Sequence, residues 1–391
     1  MGGGQVYLLR QLSQLDTDRF EPVVVCPTEG PLTDQVRQAG VQVHILPIHP
    51  GLIDLRKEDL VGHPFLFMAN PFRLAGCVFR LARWINREEI RLIHLNSMKA
   101  GFYGGMAGRL AGLPTVWDFK DIVSEDFFPA LNRRLIIAIG NTYADVVVAN
   151  SHAIGRAFVE QGGHREKLTV IHNGIDLDIF HPGLETATLR QSIGIADDAP
   201  VVSIFSRLDR WKGHTYFLQA AAQVHRMLPK VRFLVVGATT FDDTEYTEEV
   251  MALTRDLGLT ECVRYLGFRE DTAPLMAASD VIVHASTLPE PLGLTPLEAQ
   301  AVGRPVVAVG AGGVLETVED GKTGLLIPPR NAEAMAQALL TLLGSPELRR
   351  KMGISGRARA ETLFDLRINA HRVQHVYHRL LSRTYETGHR S

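Results

Sequence analysis

The sequence predicts an α/β protein in which helices cover parallel sheets. Short apolar runs rich in β-branched residues alternate along the whole chain with segments of helical length. The runs are continuously apolar and lack the polar alternation of a strand with one face in water, so we expect burial on both faces. With 391 residues, of which 46% are hydrophobic, the chain is long enough for two domains with separate cores.

Twelve runs are predicted as strands, and the segments between them carry the spacing of amphipathic helices. We favour two sheets over a single sheet of twelve strands. The predicted strands of the first half are Pro22 to Cys26, Val41 to Pro47, Arg91 to Leu95, Thr115 to Phe119, Asp145 to Ala149 and Leu168 to His172. Those of the second half are Val201 to Phe205, Arg232 to Val236, Val263 to Leu266, Val281 to His284, Pro305 to Val309 and Gly324 to Ile327.

A Pro/Gly turn at residues 181–183, followed by a polar stretch, predicts the boundary between the two domains. We therefore expect a first domain over residues 1–182 and a second over residues 183–365. The last segment, residues 366–391, has the apolar spacing of a helix. We expect this helix to complete the first domain.

The amino end lacks the apolar strand with which a doubly wound domain ordinarily begins. Gly2-Gly3-Gly4 and a helix from Gln5 to Leu15 match the turn and helix that follow such a strand, but no apolar run precedes them. That strand ordinarily lies in the middle of the sheet, so its neighbours are expected to have an unpaired edge. Either the natural chain starts earlier or another segment fills the gap, and the sequence leaves both alternatives open.

Charge and cysteine content disfavour several classes of protein. Lys and Arg total 41 against 43 Asp and Glu, a net charge of −2, whereas nucleic-acid binders usually carry a basic surplus. The three cysteines are far apart and form no CxxC pair, which disfavours a zinc knuckle or a disulfide framework. The sequence has no signal-peptide pattern and no apolar run of about 18 residues, so we expect a cytoplasmic protein.

Glu290 and Glu298 enclose seven residues that contain a glycine and a predicted helix start near Thr295 and Pro296. Gly293 leaves the backbone bare before the helix, and the N–H groups and positive dipole end there suit a phosphate. Glu298 lies a turn into the helix, where a carboxylate can bind the two hydroxyls of a ribose. The alternative is a capped helix with a solvated acid on either side.

A second polar group directly follows the predicted strand Val201 to Phe205. Residues after the carboxyl end of a strand face the ligand crevice of an open α/β sheet. Arg207 and Lys212 are therefore predicted to clamp a diphosphate, Arg207 by a bidentate fork and Lys212 as a point charge. The alternative is a loop with two solvated cations.

Two glycine-containing turns complete the set of motifs. Residues 310–313, Gly-Ala-Gly-Gly, lack the GxGxxG spacing of a nicotinamide site but permit close approach of a phosphate or sugar. Residues 173–176, Asn-Gly-Ile-Asp, are a turn signal. Asp176 and Asp178 match a DxD metal motif by letters, but they lie in this turn, and we predict no metal site.

These four elements, in this order, resemble the retaining GT-B glycosyltransferases of family 4. Residues 290–298 resemble the paired-Glu signature of that family, Arg207 and Lys212 its diphosphate cations, and residues 173–176 its domain-end motif. The resemblance covers nearly the whole chain and is most specific in the second half. Further matches are Gly312, Gly313, Glu316, residues 323–326 and the glycines of residues 2–4.

The resemblance implies a GT-B architecture of two Rossmann-like domains that face a cleft, with the C-terminal helix packing back on the first. It implies sugar transfer, with retention, from a nucleotide-diphosphate sugar to a hydroxyl of a glycan, lipid-linked or small-molecule acceptor. A UDP- or GDP-sugar is the expected co-substrate, without a metal or bound cofactor. Two alternatives stay open: an impaired nucleotide-sugar-binding or scaffold protein on this fold, and a nucleotide-sugar epimerase.

The resemblance also implies roles for individual residues. Glu298 would hold the ribose, and Glu290 would orient the hydroxyls of the donor sugar. The catalytic candidates are Arg207, Lys212, Glu290 and Asp118. The donor-binding candidates are Gly3, Gly4, Phe268, Arg269, Gly293, Leu294, Thr295 and Glu298. The acceptor-side candidates are His94, Asn96 and Lys120.

The strand Thr115 to Phe119 departs from the family pattern, which has a histidine near the reacting sugar. Asp118 occupies that position in this chain. A carboxylate and a neutral imidazole differ as hydrogen-bond donors, so we expect the active-site detail of the first domain to differ from that of the family.

A basic amphipathic segment raises the question of peripheral membrane contact. The predicted helix from Pro71 to Ile85 has an apolar stripe, with its arginines largely off that stripe, as in helices that lie on anionic membranes. The apolar run Phe65 to Met68 precedes it. The alternative is an ordinary surface helix that covers the sheet. The resemblance supports the membrane interpretation, since many family members glycosylate lipid-linked acceptors.

Overall fold

The computed structural model describes residues 3–47, 71–239 and 244–388, and the chain forms two compact units. The first unit combines the chain up to Gly174 with the segment from Leu366 onward, and the second is Ile175–Asp365. The passage between the units at Gly174 lies before the predicted break at 182. All twelve predicted strands are present, with ends that differ by at most two residues, and their pairings are parallel. This confirms the predicted fold class.

The first unit has six strands in two separate sheets. Its elements are α1 (Gly3–Ser13), β1 (Val23–Cys26), α2 (Pro31–Gln38), β2 (Gln42–Ile45), α3 (Pro71–Arg87), β3 (Ile93–Leu95), α4 (Met98–Ala111), β4 (Thr115–Phe119), α5 (Ala130–Tyr143), β5 (Val146–Ala149), α6 (His152–Glu160) and β6 (Leu168–Val170). One sheet pairs β1 with β2, and the other has the order β3-β4-β5-β6. Across the part of the chain that the structure describes, β1 and β3 each have a strand on one side only. Each therefore has an unpaired edge among the described residues, as expected from the sequence.

The second unit has one six-stranded sheet. Its elements are α7 (Ala187–Ser192), β7 (Val201–Phe205), α8 (His214–Met227), β8 (Arg232–Val236), α9 (Thr244–Asp256), β9 (Val263–Gly267), α10 (Thr272–Ala277), β10 (Val281–His284), α11 (Leu294–Ala301), β11 (Val306–Val309), α12 (Val314–Thr317), β12 (Gly324–Ile327), α13 (Ala332–Gly344) and α14 (Pro346–Leu363). The strand order is β12-β11-β10-β7-β8-β9. Alternate residues of β7 enter the cores on opposite faces: Val202 and Ile204 on one, Val201 and Phe205 on the other. Both faces of the sheet are therefore covered.

The last helix, α15 (Leu366–Gly388), packs on the second sheet of the first unit. Its residues Val373, Val376 and Leu380 are buried against Val116 of β4 and Val148 of β5. Among the described residues, α15 is the one long helix whose side chains pack in this apolar cluster. The helix belongs to the same compact unit as this sheet.

Helix α3 uses its apolar stripe inside the first unit. Val78, Leu81 and Ile85 are buried in one cluster with Leu46, whereas Arg83 is exposed. This packing is that of a surface helix covering a sheet. No helix in residues 3–47, 71–239 and 244–388 is long and apolar enough to cross a membrane. The run Phe65 to Met68 lies outside the described residues.

Candidate active site

The second unit holds a buried carboxylate where the sequence predicts the first acid of the pair. Glu290 lies on the loop between β10 and α11, and its side chain is only 12% exposed. Its Oε1 is 2.5 Å from Lys212 Nζ and 3.0 Å from His284 Nε2, and it accepts a hydrogen bond of 2.5 Å from Ser286 Oγ. Three polar side chains thus meet at one carboxylate oxygen of Glu290.

The charge on Glu290 is fixed by these neighbours. Burial by itself raises the pKa of this carboxyl, but the charges and hydrogen bonds of Lys212 and His284 outweigh burial and hold the pKa well below its usual range. Glu290 is therefore ionised at neutral pH. An ionised carboxylate accepts hydrogen bonds from sugar hydroxyls and has no proton to donate.

The glycines of residues 310–313 hold this loop in place. Gly313 N donates to Glu290 O at 2.8 Å, and a Cβ on Gly313 would lie 2.1 Å from Pro291 O. Gly312 has a φ of +61°, and a Cβ there would lie 2.4 Å from Glu290 O. The glycines at 312 and 313, predicted to let a ligand approach closely, instead allow close packing of this turn against the backbone of the Glu290 loop.

The two predicted diphosphate cations lie in different surroundings. Arg207 has a side chain that is 46% exposed, with Nη2 at 3.3 Å from Asp209 Oδ2. Lys212 is largely buried, and its ammonium lies 4.0 Å from the centre of the Trp211 ring as well as against Glu290. Both follow β7, as predicted. Lys212 contacts the buried carboxylate.

Helix α11 begins at Leu294, one residue before the predicted start. Its N-cap is Gly293, with a φ of +83°, a backbone conformation that favours glycine. Thr295 Oγ1 donates to Phe205 O at 3.1 Å, which ties the first turn of α11 to the end of β7. Glu298 is half-buried one turn into the helix. This hydrogen bond places the residues predicted to bind phosphate and ribose next to the loop that carries Arg207 and Lys212.

The residues predicted to border the base follow β9. Phe268 is 71% exposed, an unusual setting for a large aromatic ring. Arg269 is held by Asp271 through two hydrogen bonds, Nε to Oδ1 at 2.7 Å and Nη2 to Oδ2 at 2.5 Å. The guanidinium is thus bound within the chain, and Phe268 presents the exposed surface.

A second polar cluster, the Asp118 cluster, lies at the carboxyl ends of β3 and β4 in the first unit. Asp118 is 3% exposed, and its Oδ2 lies 3.1 Å from Lys120 Nζ and 3.6 Å from His94 Nε2. Lys120 Nζ also donates to Asn96 Oδ1, and Asn96 Nδ2 donates to Gly4 O at 3.3 Å. The catalytic candidate, the three acceptor-side candidates and the predicted glycine loop therefore meet in one place.

Asp118 is ionised in this cluster. Burial raises the pKa of its carboxyl, but Lys120 and His94 together lower the pKa below its usual value. The carboxylate is nearly enclosed by its own partners. Gly3 begins helix α1, and Gly2 lies outside the described residues.

Sequence reasoning missed several members of both clusters. His284 and Ser286 contact Glu290, and Tyr7 and Tyr377 adjoin the Asp118 cluster. His284 ends a strand, so the rule that strand ends face the crevice could have identified it. Tyr377 is 283 positions from His94, to which it is hydrogen-bonded, and no local pattern marks it.

The turn at residues 173–176 is a structural one. Asp176 Oδ1 accepts hydrogen bonds from Asp178 N at 3.0 Å and Ile179 N at 3.3 Å. This arrangement is an Asx-type turn, in which a side-chain oxygen closes the backbone. It explains the Asp176–Asp178 spacing through backbone hydrogen bonding.

Two family profiles together match most of the chain. The family described as Glycosyl transferases group 1 matches residues 185–359, and Glycosyltransferase Family 4 matches residues 1–179. The D-inositol 3-phosphate glycosyltransferase of Nocardia farcinica is 33% identical over 383 residues, 92% of this chain and 81% of that protein. The corresponding protein of Corynebacterium urealyticum is 37% identical over 214 residues, 53% of this chain and 50% of that protein.

A solved structure matches almost the whole chain. Anabaena Alr3699/HepE in complex with UDP-glucose has 30% sequence identity and a TM-score of 0.84, and the match covers 97% of both chains. The same protein has been solved with UDP and glucose, and that structure matches with a TM-score of 0.83.

Proposed function

Because the chain belongs to the family 4 glycosyltransferases of GT-B fold, we propose that it transfers a sugar with retention from a nucleotide-diphosphate sugar to an acceptor hydroxyl. The observation that carries this proposal is the buried Glu290 carboxylate with Lys212 and His284 on one oxygen atom. It stands in the loop that leads to the N-terminus of α11, with Glu298 one turn further. An orienting acid, a cation and a helix N-terminus are thus grouped for a sugar diphosphate.

We assign the donor to residues of the second unit. The backbone N–H groups of Gly293, Leu294 and Thr295 bind phosphate and sugar, and Glu298 binds the ribose hydroxyls. The exposed ring of Phe268 packs against the base, with Arg269 at its border. UDP-glucose is the first donor to test, because Alr3699/HepE was solved with it.

Leaving-group stabilisation is assigned to Arg207 and Lys212. Negative charge grows on the leaving β-phosphate, and preorganised cations and N–H dipoles stabilise it without a metal. A lysine ammonium has three protons, so Lys212 can donate to Glu290 and to the diphosphate at the same time. This shared ammonium would align the sugar hydroxyls at Glu290 with the bond that breaks. The leaving phosphate itself accepts the proton of the acceptor hydroxyl.

We assign the acceptor to the first unit, with His94, Asn96 and Lys120 as contact residues and Asp118 beside them. The cationic Lys120 favours an acceptor that carries a phosphate. D-inositol 3-phosphate, named for the relatives, is therefore the first small-molecule acceptor to test. Lipid-linked and glycan acceptors form the other arms of the same screen.

The test has two stages. A thermal-shift screen with UDP-, GDP-, ADP- and dTDP-sugars identifies the donor, since a ligand at a hundredfold excess over its Kd stabilises by about 2.7 kcal/mol. Acceptor-dependent release of UDP is then measured with and without EDTA, and NMR reads the anomeric configuration of the product. We expect retention and no effect of EDTA. Glu298→Ala serves as the donor-site control and should raise the donor KM more than it lowers kcat.

Three results would contradict the proposal. Donor binding without acceptor-dependent release of UDP favours the impaired or scaffold protein, an alternative motivated by Asp118 in place of histidine. Conversion of the donor sugar without any acceptor favours an epimerase. An inverted product rules out retention.

A further inference from the structure

A line of buried contacts joins the last helix to the Asp118 cluster. Tyr377 of α15 places its hydroxyl 2.5 Å from His94 Nδ1, and His94 Nε2 lies 3.6 Å from Asp118 Oδ2. Asp118 in turn contacts Lys120 at 3.1 Å. All four residues belong to the first unit. Tyr377 is the one member that comes from the far end of the sequence.

The chemistry of the neighbours decides which atoms carry protons. Asp118 Oδ2 lies 3.6 Å from His94 Nε2, beyond hydrogen-bond distance, and the negative charge of an ionised Asp118 favours a proton on that nitrogen. In a neutral imidazole Nδ1 is then an acceptor, and the Tyr377 hydroxyl donates to it. Burial, with the charge of Asp118 adding to it, raises the pKa of Tyr377, so this hydroxyl keeps its proton.

The packing of α15 holds Tyr377 in this position. Its ring meets Phe20 edge to face, with centroids 5.6 Å apart. About one helical turn before Tyr377, Gln374 accepts a hydrogen bond from Asp16 N at 3.0 Å and donates one to Gln14 O at 2.9 Å. The helix is thus fixed to the segment that follows α1.

We propose that Tyr377 is a positioning residue of the acceptor-side cluster, because its hydroxyl fixes the ring of His94 and so holds the Asp118–Lys120 pair. This inference rests on the proposed function for its kinetic consequence only. Lys120 is also bounded by Asn96 and by the ring of Tyr7, whose centre lies 5.1 Å from the ammonium. A fixed His94 closes the remaining side of this pair, and the cation stays where an acceptor would meet it.

The test is Tyr377→Phe, which removes the hydroxyl and keeps the ring that packs on Phe20. Ring ¹⁵N NMR spectra of histidine-labelled protein report the tautomer, and the His94 signals are assigned by their loss in His94→Leu. We expect a single Nε2–H form in the parent protein and a mixture of tautomers in Tyr377→Phe. Tyr103→Phe, at a partly buried tyrosine of the same unit, should leave the His94 signals unchanged.

Kinetics give the second measurement. With the donor and acceptor from the screen, Tyr377→Phe should lower kcat about tenfold, the effect of losing one hydrogen bond of this kind, and leave the donor KM unchanged. His94→Leu combined with Tyr377→Phe should lose no more than His94→Leu alone, since both act through one ring. His94→Gln, which can accept from Tyr377 and donate toward Asp118, should keep more activity than His94→Leu and provides a folded variant if Tyr377→Phe is unstable.

An unchanged His94 tautomer in Tyr377→Phe would overturn the inference, as would additive losses in the double variant. The NMR measurement needs no turnover. If the parent protein transfers no sugar, the proposed function fails while the tautomer measurement still decides the role of Tyr377.

Discussion

Arg207 and Lys212 carry the same charge, but their surroundings predict different effects of removing it. Lys212→Ala leaves Glu290 buried without its main counter-charge, so it should lower the free energy of unfolding by roughly 3–5 kcal/mol. Arg207→Ala removes a half-exposed side chain and should cost less than about 1 kcal/mol. Both should reduce kcat by roughly 10²–10³, since both act on the leaving phosphate.

Urea denaturation and steady-state kinetics separate the two effects. Arg210→Ala is the matched control, because Arg210 lies in the same loop and pairs with Glu249 on the surface. Arg210→Ala should lower the free energy of unfolding by less than about 1 kcal/mol and leave kcat unchanged. Equal stability losses for Arg207→Ala and Lys212→Ala would contradict the difference in burial.

His214 predicts a pH dependence of stability. Burial, with the charge of Lys212 adding to it, lowers the pKa of this histidine from 6.5 to about 4. Below pH 6.5 the unfolded chain binds a proton that the folded protein does not, so stability falls as the pH drops toward 4. The loss from this group is on the order of 3 kcal/mol.

The measurement is the free energy of unfolding between pH 7 and pH 4. His214→Gln keeps a polar partner for Ser206 and lacks a titrating group in this range, so its profile should be flatter. Parallel profiles for the two proteins would show that folding does not lower the pKa of His214.

At this scale the sequence predicts residues that lie after strand ends or in the paired-Glu loop. Asp118, His94, Asn96 and Lys120 meet because their strands are neighbours, and strand ends are recognisable from apolar runs. Tyr377 is different. Its place depends on how α15 packs on the sheet, which periodicity in a single helix does not specify.

Among the elements, the glycine turn after β11 should tolerate no side chain. Gly313 has an ordinary φ of −72°, so Gly313→Ala acts only through the Cβ that would lie 2.1 Å from Pro291 O. The Glu290 loop must shift to admit it. We expect a loss of roughly 1–3 kcal/mol of stability and a weaker affinity for the donor.

Gly344→Ala is the control for this change, because nothing lies within 4 Å of the added Cβ there and the residue ends helix α13. We expect Gly344→Ala to match the parent protein in its thermal unfolding temperature and in its affinity for the donor, measured by titration. Normal donor binding by Gly313→Ala would mean that the loop contact does not hold the site.

The split sheet of the first unit predicts the effect of an added strand. A segment of about six apolar residues placed before Gly2 leads directly into α1, and it could pair with the open edges of β1 and β3. Pairing on both edges and burial on both faces should raise the free energy of unfolding. Chemical denaturation compares this extended protein with the parent protein and with one that carries six Gly and Ser residues in place of the apolar segment. Equal stability of all three would contradict the prediction.

The sequence predicts the elements well and their grouping less well. All twelve strands were recognisable, because each is a continuous apolar run. Two sheets were expected, whereas the described residues form three. The number of sheets depends on which strands pair at their edges. The sequence of a strand that is apolar on both faces does not indicate its pairing partner.

At the scale of the whole molecule, the boundary between units differs from the Pro/Gly turn. Ile175 and Phe180 are buried in a core of the second unit, and Ile175 N donates to Phe364 O at 2.7 Å. These contacts assign the segment before the turn to the second unit. A turn signal marks where a chain bends, but only long-range contacts decide which core receives it.

Fragments should differ in their ability to fold. Residues 175–365 are continuous and hold both cores of the second unit, so this fragment should unfold cooperatively and bind the donor nucleotide. Residues 1–174 lack α15, and the apolar face of β4 and β5 loses its cover. That fragment should lack a cooperative transition until a peptide of residues 366–391 is added. Circular dichroism during denaturation tests both, and a stable fragment 1–174 would contradict the role of α15.

The discontinuity of the first unit has a consequence during protein synthesis. Its sheet leaves the ribosome before the helix that covers it has been made. Roughly 190 residues separate the two, and at about 5–20 residues per second they take on the order of 10–40 seconds to translate. The apolar face that contains Val116 and Val148 stays uncovered for that time. We therefore expect the nascent chain to be prone to aggregation during this interval, and slower translation of the second half should lengthen that exposure.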